Sequence, residues 1–214
     1  MNATYLFEKP LRFFHNSETY WSSLFASQVL QASRSGVTLS IPTYTYNEIG
    51  ANWQFSPSDS LVIPQGLDFT QVVVEGKIRT GFVSSIAAPL PVQFNGLRPD
   101  LTMLWNKKVY FAETKTIGAK LEDKDMLYLA LANWLVTHGC QSEALLLISA
   151  GHENAREVRQ LASSTWHGPK RIILWEKFFE AVVQQVDHSL IRTLIPDIEQ
   201  YYTPENRFMS GSLT

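Results

Sequence analysis

Two acidic residues and a lysine stand on neighbouring β-like runs in the segment RPDLTMLWNKKVYFAETKT, residues 98 to 116. Asp100 precedes the first run, and Glu113 and Lys115 end the second. Two carboxylates held close together repel each other unless a cation or an ammonium group neutralises them. Mg²⁺ suits that role, because it takes oxygen ligands and is commonly bound by one or two carboxylates together with phosphate oxygens. The residue types therefore predict a site for phosphoryl chemistry, provided that Asp100 and Glu113 meet.

The register of the predicted hairpin decides whether these side chains meet. Glu113 and Lys115 are two residues apart on one strand and therefore share a face. If residues 107–108 form a two-residue turn, Asp100 falls opposite Lys115 and diagonal to Glu113, with opposite Cβ atoms roughly 5 Å apart. A four-residue turn keeps this parity, whereas a three-residue turn without a bulge moves Asp100 to the other face.

Each residue of the motif has a predicted role. Lys115 would orient or help to deprotonate an attacking water, or stabilise negative charge at phosphorus. The backbone carbonyl of Thr114 would supply a further metal ligand. The structural alternative is an exposed cross-strand pair of Asp100 and Lys115, with Glu113 solvated.

Two further Glu-x-Lys triplets occur in the chain, at residues 75–77 and 122–124. We interpret both as incidental. No Pro-Asp pair precedes the first triplet, and the second lies at a predicted helix start, where side chains two residues apart diverge.

Apolar periodicity predicts the elements that must position the motif. A first amphipathic helix begins after Asn16 or Ser17 and ends before Gly36, and a shorter second helix is predicted within residues 41–59. Strands are predicted at residues 69–78, 101–105, 109–115, 144–149 and 171–175, with helices at about 120–137, at about 153–163 and twice near the C-terminus. This order predicts an α/β fold, a mixed central sheet with helices on both faces. Ligands of such sheets tend to sit at strand ends.

Composition limits the class of protein. The single cysteine, Cys140, excludes an internal disulfide framework, and the five histidines show no zinc-binding spacing. A reducing, cytoplasmic compartment is therefore expected. Neither a signal peptide nor an apolar run long enough to span a bilayer is found, so no membrane association is expected.

Net charge and the local distribution of charge give opposite indications about nucleic-acid binding. The formal net charge of −2 makes no overall case for binding a polyanion. However, six of the 18 Lys and Arg residues fall between positions 98 and 124, and five of them are candidate nucleic-acid contacts: Arg98, Lys107, Lys108, Lys120 and Lys124. The alternative is a solvated face of mixed charge.

The quoted segment resembles the core of the PD-(D/E)xK phosphodiesterase superfamily, the restriction-endonuclease-like nucleases. The family pattern of a Pro-Asp strand, a Glu-x-Lys strand and a helix with an early Lys or Gln is matched by Pro99-Asp100, Glu113-Thr114-Lys115 and Lys120 or Lys124. Family members often carry an acidic residue on a helix before the first core strand. Glu48 is the first match for it here, and Glu18 is the second.

The resemblance implies one nuclease-like domain over residues 1–214, with its restriction-endonuclease-like core at about 41–175 and terminal helices flanking it. It implies a Mg²⁺-dependent or Mn²⁺-dependent nuclease that hydrolyses phosphodiester bonds in DNA, with metal ligands at Asp100, Glu113, Thr114 and Glu48. The alternative is a catalytically inactive nuclease-fold subunit for nucleic-acid binding or protein assembly, which the acidic balance supports. A protein partner or a second copy of the chain that supplies the DNA-binding surface would reconcile the two.

Overall fold

The computed structural model describes residues 18–49, 52–68, 70–76, 89–115, 123–148 and 170–185. In these ranges, seven strands form one mixed sheet and three α-helices pack against it. The predicted α/β class with a mixed sheet is confirmed. The elements in chain order are α1 Glu18–Arg34, β1 Leu39–Ile49, β2 Asn52–Ile63, β3 Val72–Val74, a 3-10 turn Val92–Phe94, β4 Leu101–Trp105, β5 Lys108–Thr114, α2 Asp123–Thr137, β6 Gln141–Ile148, β7 Lys170–Leu174 and α3 Trp175–Gln185.

The strand order across the sheet is β2-β1-β7-β6-β5-β4-β3. Strands β5, β6 and β7 are parallel, whereas all the other neighbouring pairs are antiparallel. The carboxyl ends of β5, β6 and β7 therefore meet at one edge of the sheet, together with the start of β4. We call this the carboxyl edge. In open α/β sheets, this is where ligands bind.

The sheet separates two apolar cores, because successive side chains along each strand point to opposite faces. On one face, α1 and α3 pack aromatic side chains together, with the ring centroids of Phe25 and Trp175 6.3 Å apart. On the other face, Leu131 and Leu135 of α2 pack in one cluster with Phe111 of β5. The prediction of helices on both faces is confirmed, and it explains why residues 144–148 of β6 are continuously apolar.

The predicted second helix within residues 41–59 is wrong, because residues 41–49 and 52–59 belong to the antiparallel hairpin of β1 and β2. The Thr-rich and Tyr-rich sequence of β1 favours a strand. The hairpin accommodates both of its prolines. Pro42 lies where the register shifts before Tyr44, and Pro57 lies on β2, the outermost strand of the sheet. Glu48 therefore lies on a strand rather than on a helix.

The remaining elements agree with the sequence except at their ends. Helix α1 ends at Arg34, before Gly36 with φ +72°. Of the strand predicted at 69–78, the described residues form a strand at Val72–Val74. The predicted helix at 153–163, the residues before α2 and the second C-terminal helix lie outside the described residues. None of the helices in the described ranges is long and apolar enough to cross a membrane.

Candidate metal centre

The β4–β5 hairpin closes with a two-residue turn at Asn106–Lys107, one residue earlier than predicted. Both residues adopt the left-handed backbone conformation, with φ values of 52° and 62°. Such turns match the twist of the flanking strands, and Asn tolerates the left-handed conformation better than most residues. Moving a two-residue turn by one position shifts the pairing by two residues, so each side chain keeps its face.

The pairing register, continued one residue beyond β4, places Asp100 opposite Glu113 rather than opposite Lys115. Carboxylate oxygens of Asp100, Glu113 and Glu18 all lie within 4.8 Å of one another. The predicted meeting of Asp100 and Glu113 is therefore confirmed. The alternative of an exposed pair is wrong, because Glu113 is only 6% exposed and Lys115 only 2% exposed.

Lys115 is fixed by both its side chain and its backbone. Its Nζ lies 2.7 Å from Glu113 Oε1 and 3.6 Å from Glu18 Oε1. Its N–H donates to the Leu147 carbonyl at 2.8 Å, and its carbonyl accepts from the Trp175 indole N–H at 3.3 Å. The ammonium group is thus held among the carboxylates at the carboxyl edge.

Asp100 is held from the side of β5. The backbone N–H and the hydroxyl of Thr114 both donate to Asp100 Oδ2, each at 2.7 Å. The Tyr128 hydroxyl donates to the Arg98 carbonyl at 2.9 Å, which ties α2 to the segment before β4. The start of β4 is therefore anchored to both neighbouring elements.

The Thr114 carbonyl faces the same side of β5 as Asp100. Because the Lys115 N–H faces β6, the backbone groups of Thr114 face β4. Continued by two residues, the register would pair Thr114 with Pro99, which has no N–H to donate to that carbonyl. This gives a physical basis for the predicted Thr114 ligand.

Of the two candidates for the acidic residue on a helix, Glu18 joins the cluster, from the first turn of α1. Glu48, the first match, does not join it. Tyr44 of β1 is level with Glu113, as the pairings across β7 and β6 show, and Glu48 lies four residues beyond Tyr44 towards the opposite edge. Strand spacings place the Glu48 backbone roughly 20 Å from Glu113.

Glu75, interpreted from the sequence as incidental, lies beside the cluster. Its N–H donates to the Asp100 carbonyl at 2.9 Å, and its carboxylate accepts a hydrogen bond from the Thr19 hydroxyl. Its φ of 50° is unusual for a residue with a Cβ atom. Glu75 therefore connects the end of β3 to both Asp100 and the first turn of α1, while Lys77 lies outside the described residues.

The predicted nucleic-acid contacts are dispersed. Arg98 is exposed and lies near the cluster, whereas Lys107 and Lys108 lie at the other end of the hairpin. Lys108 forms an ion pair with Glu143. Lys120 lies outside the described residues, and Lys124 lies on α2 with its side chain undescribed.

The opposite edge of the sheet carries a second, structural charge cluster. Glu143 is fully buried and accepts hydrogen bonds from Lys108 and from Arg171, whose Nη2 lies 2.8 Å from Glu143 Oε2. The hydrogen bond to Glu143 raises the pKa of the Arg171 guanidinium. One carboxylate with two cations needs no metal ion.

Sequence reasoning missed the hydroxyl groups around the cluster. Ser22 Oγ lies 2.8 Å from Thr114 Oγ1, and both residues are fully buried. A signal for Ser22 exists, because it follows Glu18 by four residues and shares its helical face. What the sequence lacks is the information that this face of α1 lies over the end of β5.

The donor set fits a hard divalent cation. Three carboxylates, and the carbonyl that faces the same side, are all oxygen ligands of the kind that Mg²⁺ and Mn²⁺ prefer over nitrogen and sulfur. Among the described residues, one ammonium group stands against these three acidic charges, so a divalent ion would neutralise the remainder.

Comparisons of the chain with protein-family models, with curated proteins and with solved structures find no match.

Proposed function

We propose that this chain is a Mg²⁺-dependent nuclease that hydrolyses phosphodiester bonds in DNA with water, and that it has the restriction-endonuclease-like core of the PD-(D/E)xK superfamily. One observation carries the proposal. At the carboxyl edge, Glu18, Asp100 and Glu113 offer oxygens within 4.8 Å of one another, and the ammonium group of Lys115 stands 2.7 Å from Glu113.

The order of elements around the site supports the superfamily assignment. The Pro-Asp strand β4 is followed by the Glu-x-Lys strand β5, then by α2 and by the parallel strand β6. Helix α1, with Glu18 in its first turn, precedes the sheet. This is the order that the family resemblance implies.

The cation would be held by Glu18, Asp100, Glu113 and the Thr114 carbonyl. When bound, such an ion lowers the pKa of a coordinated water and polarises a phosphoryl oxygen. The chain itself contributes charge and orientation. Lys115 Nζ, held by Glu113, donates hydrogen bonds to the nucleophile or to the developing negative charge at phosphorus.

DNA binding requires more positive charge than the described surface offers. Arg98 is exposed next to the site and suits a phosphate contact. Lys108 and Lys177 are instead paired with Glu143 and Glu180. A protein partner or a second copy of the chain would therefore supply the rest of the electrostatic attraction.

The test is cleavage of plasmid, linear and single-stranded DNA with Mg²⁺, Mn²⁺ or a chelator. We expect metal-dependent cleavage by the wild type and at least a ~100-fold slower rate for Glu113→Gln, because the motif residues act as one unit in the transition state. The matched control is Glu143→Gln, which also removes a buried carboxylate from a lysine partner but at the opposite edge.

Glu143→Gln should lose stability yet keep its metal-dependent rate at temperatures where it is folded. A near wild-type rate in Glu113→Gln would contradict the assignment of the site. A wild type that binds the ion and cleaves none of the substrates would favour the alternative function, a catalytically inactive nuclease-fold subunit.

A further inference from the structure

Two buried hydroxyl groups, of Ser22 and Thr114, link helix α1 to Asp100 through hydrogen bonds. Ser22 Oγ lies 2.8 Å from Thr114 Oγ1, which lies 2.7 Å from Asp100 Oδ2. Ser22 and Thr114 are both fully buried, so water cannot replace either contact.

The number of available protons fixes the direction of these hydrogen bonds. A carboxylate only accepts, so the single hydroxyl proton of Thr114 is donated to Asp100. The Thr114 oxygen then has no proton to give, and the contact with Ser22 is a hydrogen bond only if Ser22 donates. The Glu18 carbonyl, 2.9 Å from Ser22 Oγ, shares that proton.

These hydrogen bonds also distinguish the two carboxylate oxygens of Asp100. The N–H and the hydroxyl of Thr114 both fall on Oδ2, whereas Oδ1 makes no hydrogen bond to any residue in the described ranges. A carboxylate that is hydrogen-bonded through one oxygen presents the other in a fixed direction, which is how outer-shell groups orient metal ligands.

We propose that Thr114 and Ser22 are positioning residues of the metal centre, which lock Asp100 so that Oδ1 is the oxygen presented to the cation. The same contacts hold the first turn of α1, and with it Glu18, against the end of β5. This inference rests on the proposed function for the identity of the ligand, a hard divalent cation such as Mn²⁺ or Mg²⁺.

The test is the affinity for Mn²⁺ by titration calorimetry on the full chain, which requires no nucleic acid. Thr114→Val keeps the β-branched shape but loses the hydroxyl, and we expect Mn²⁺ to bind about 10–100-fold more weakly. Thr114→Ser retains the donor and should bind within about threefold of the wild type, since the hydrogen bond to Oδ2 is kept.

A double variant separates positioning from stability. Thr114→Val places a methyl group against the buried Ser22 oxygen, whose proton then has the Glu18 carbonyl as its partner, and adding Ser22→Ala removes the polar atom from that apolar contact. The double variant should therefore melt at a higher temperature than Thr114→Val while binding Mn²⁺ equally weakly. A merely structural role would instead restore affinity together with stability.

Wild-type affinity in folded Thr114→Val would overturn the inference, as would affinity restored in the double variant. So would a wild type that binds no Mn²⁺ at millimolar concentrations, a result that also removes the metal-dependent function. If the wild type binds Mn²⁺, the variants follow the expected order and no DNA is cleaved, the proposed function fails while the positioning inference stands.

Discussion

At the scale of single residues, the charge balance of the cluster depends on Lys115. Its ammonium group is nearly inaccessible to solvent and is 2.7 Å from Glu113 Oε1. Removing one partner of a buried ion pair leaves an uncompensated charge, which typically costs about 3–5 kcal/mol. Here the charge left behind would also face the carboxylates of Glu18 and Asp100.

Lys115→Met should therefore lower the free energy of unfolding of the metal-free protein by about 3 kcal/mol, measured by urea denaturation. Mg²⁺ should raise the melting temperature of this variant more than that of the wild type, because the ion no longer competes with an ammonium group. Cleavage should be lost. A smaller metal-dependent shift in Lys115→Met than in the wild type would contradict this charge balance.

Lys177→Met is the matched control. Lys177 pairs with Glu180 at 2.7 Å, but both side chains are more than 40% exposed. Exposed pairs of this kind contribute about 0–1 kcal/mol. The control should therefore change neither stability nor the response to Mg²⁺ appreciably.

The motif residues were predictable because strand alternation and turn parity are local rules. Asp100 and Glu113 share a face for any two-residue turn between β4 and β5, so the predicted turn could be one residue off without harm. Ser22, Thr19 and Glu75 were not predictable as site residues. Their contacts depend on how α1 crosses the end of the sheet, which is a tertiary property.

At the scale of elements, the β4–β5 turn contains strain that can be removed. Lys107 has φ 62°, and the left-handed conformation costs a residue with a Cβ atom about 1–2 kcal/mol. We expect Lys107→Gly to raise the free energy of unfolding by about 1 kcal/mol, or the melting temperature by about 2–4 °C. Differential scanning calorimetry measures both.

Asn106→Gly is the control for this prediction. Asn106 has φ 52°, but Asn tolerates this conformation, so its replacement should gain less than that of Lys107. A loss of stability in Lys107→Gly would contradict the turn geometry. The same variant tests the predicted DNA contact of Lys107, whose removal should reduce the salt dependence of binding by about one ion.

The β1–β2 hairpin shows where local rules were insufficient. A short helix was predicted within residues 41–59, with Gly50 and Pro57 limiting its length. The structure instead places Pro42 at a register shift and Pro57 on the outermost strand. Both accommodations depend on sheet order, which the sequence of this segment does not contain.

At the scale of the whole molecule, the two edges of the sheet differ in charge balance. Glu143 at one edge is matched by Lys108 and Arg171, whereas the described part of the carboxyl edge sets three carboxylates against Lys115. A molecule with a net charge of −2 and a locally acidic edge has little electrostatic attraction to DNA unless cations are bound at that edge. We therefore expect this edge to bind a divalent ion.

The most direct measurement is a thermal melt of the wild type and Asp100→Asn with Mg²⁺, Mn²⁺ or chelator at matched ionic strength. With a dissociation constant on the order of 1 mM and about 10 mM Mg²⁺, linkage stabilises the wild type by roughly 1.4 kcal/mol. That corresponds to a rise of about 3–6 °C for a chain of this size. The carbonyl oxygen of an Asn at this position can still accept from Thr114, while its amide group replaces Oδ1, the oxygen proposed to face the ion.

Asp100→Asn should therefore lose most of the metal-dependent shift, and its metal-free form should be as stable as the wild type or slightly more stable, because one repelling charge is removed. An equal shift in both proteins would mean that the ion binds elsewhere. The absence of a shift in both would contradict the metal centre itself.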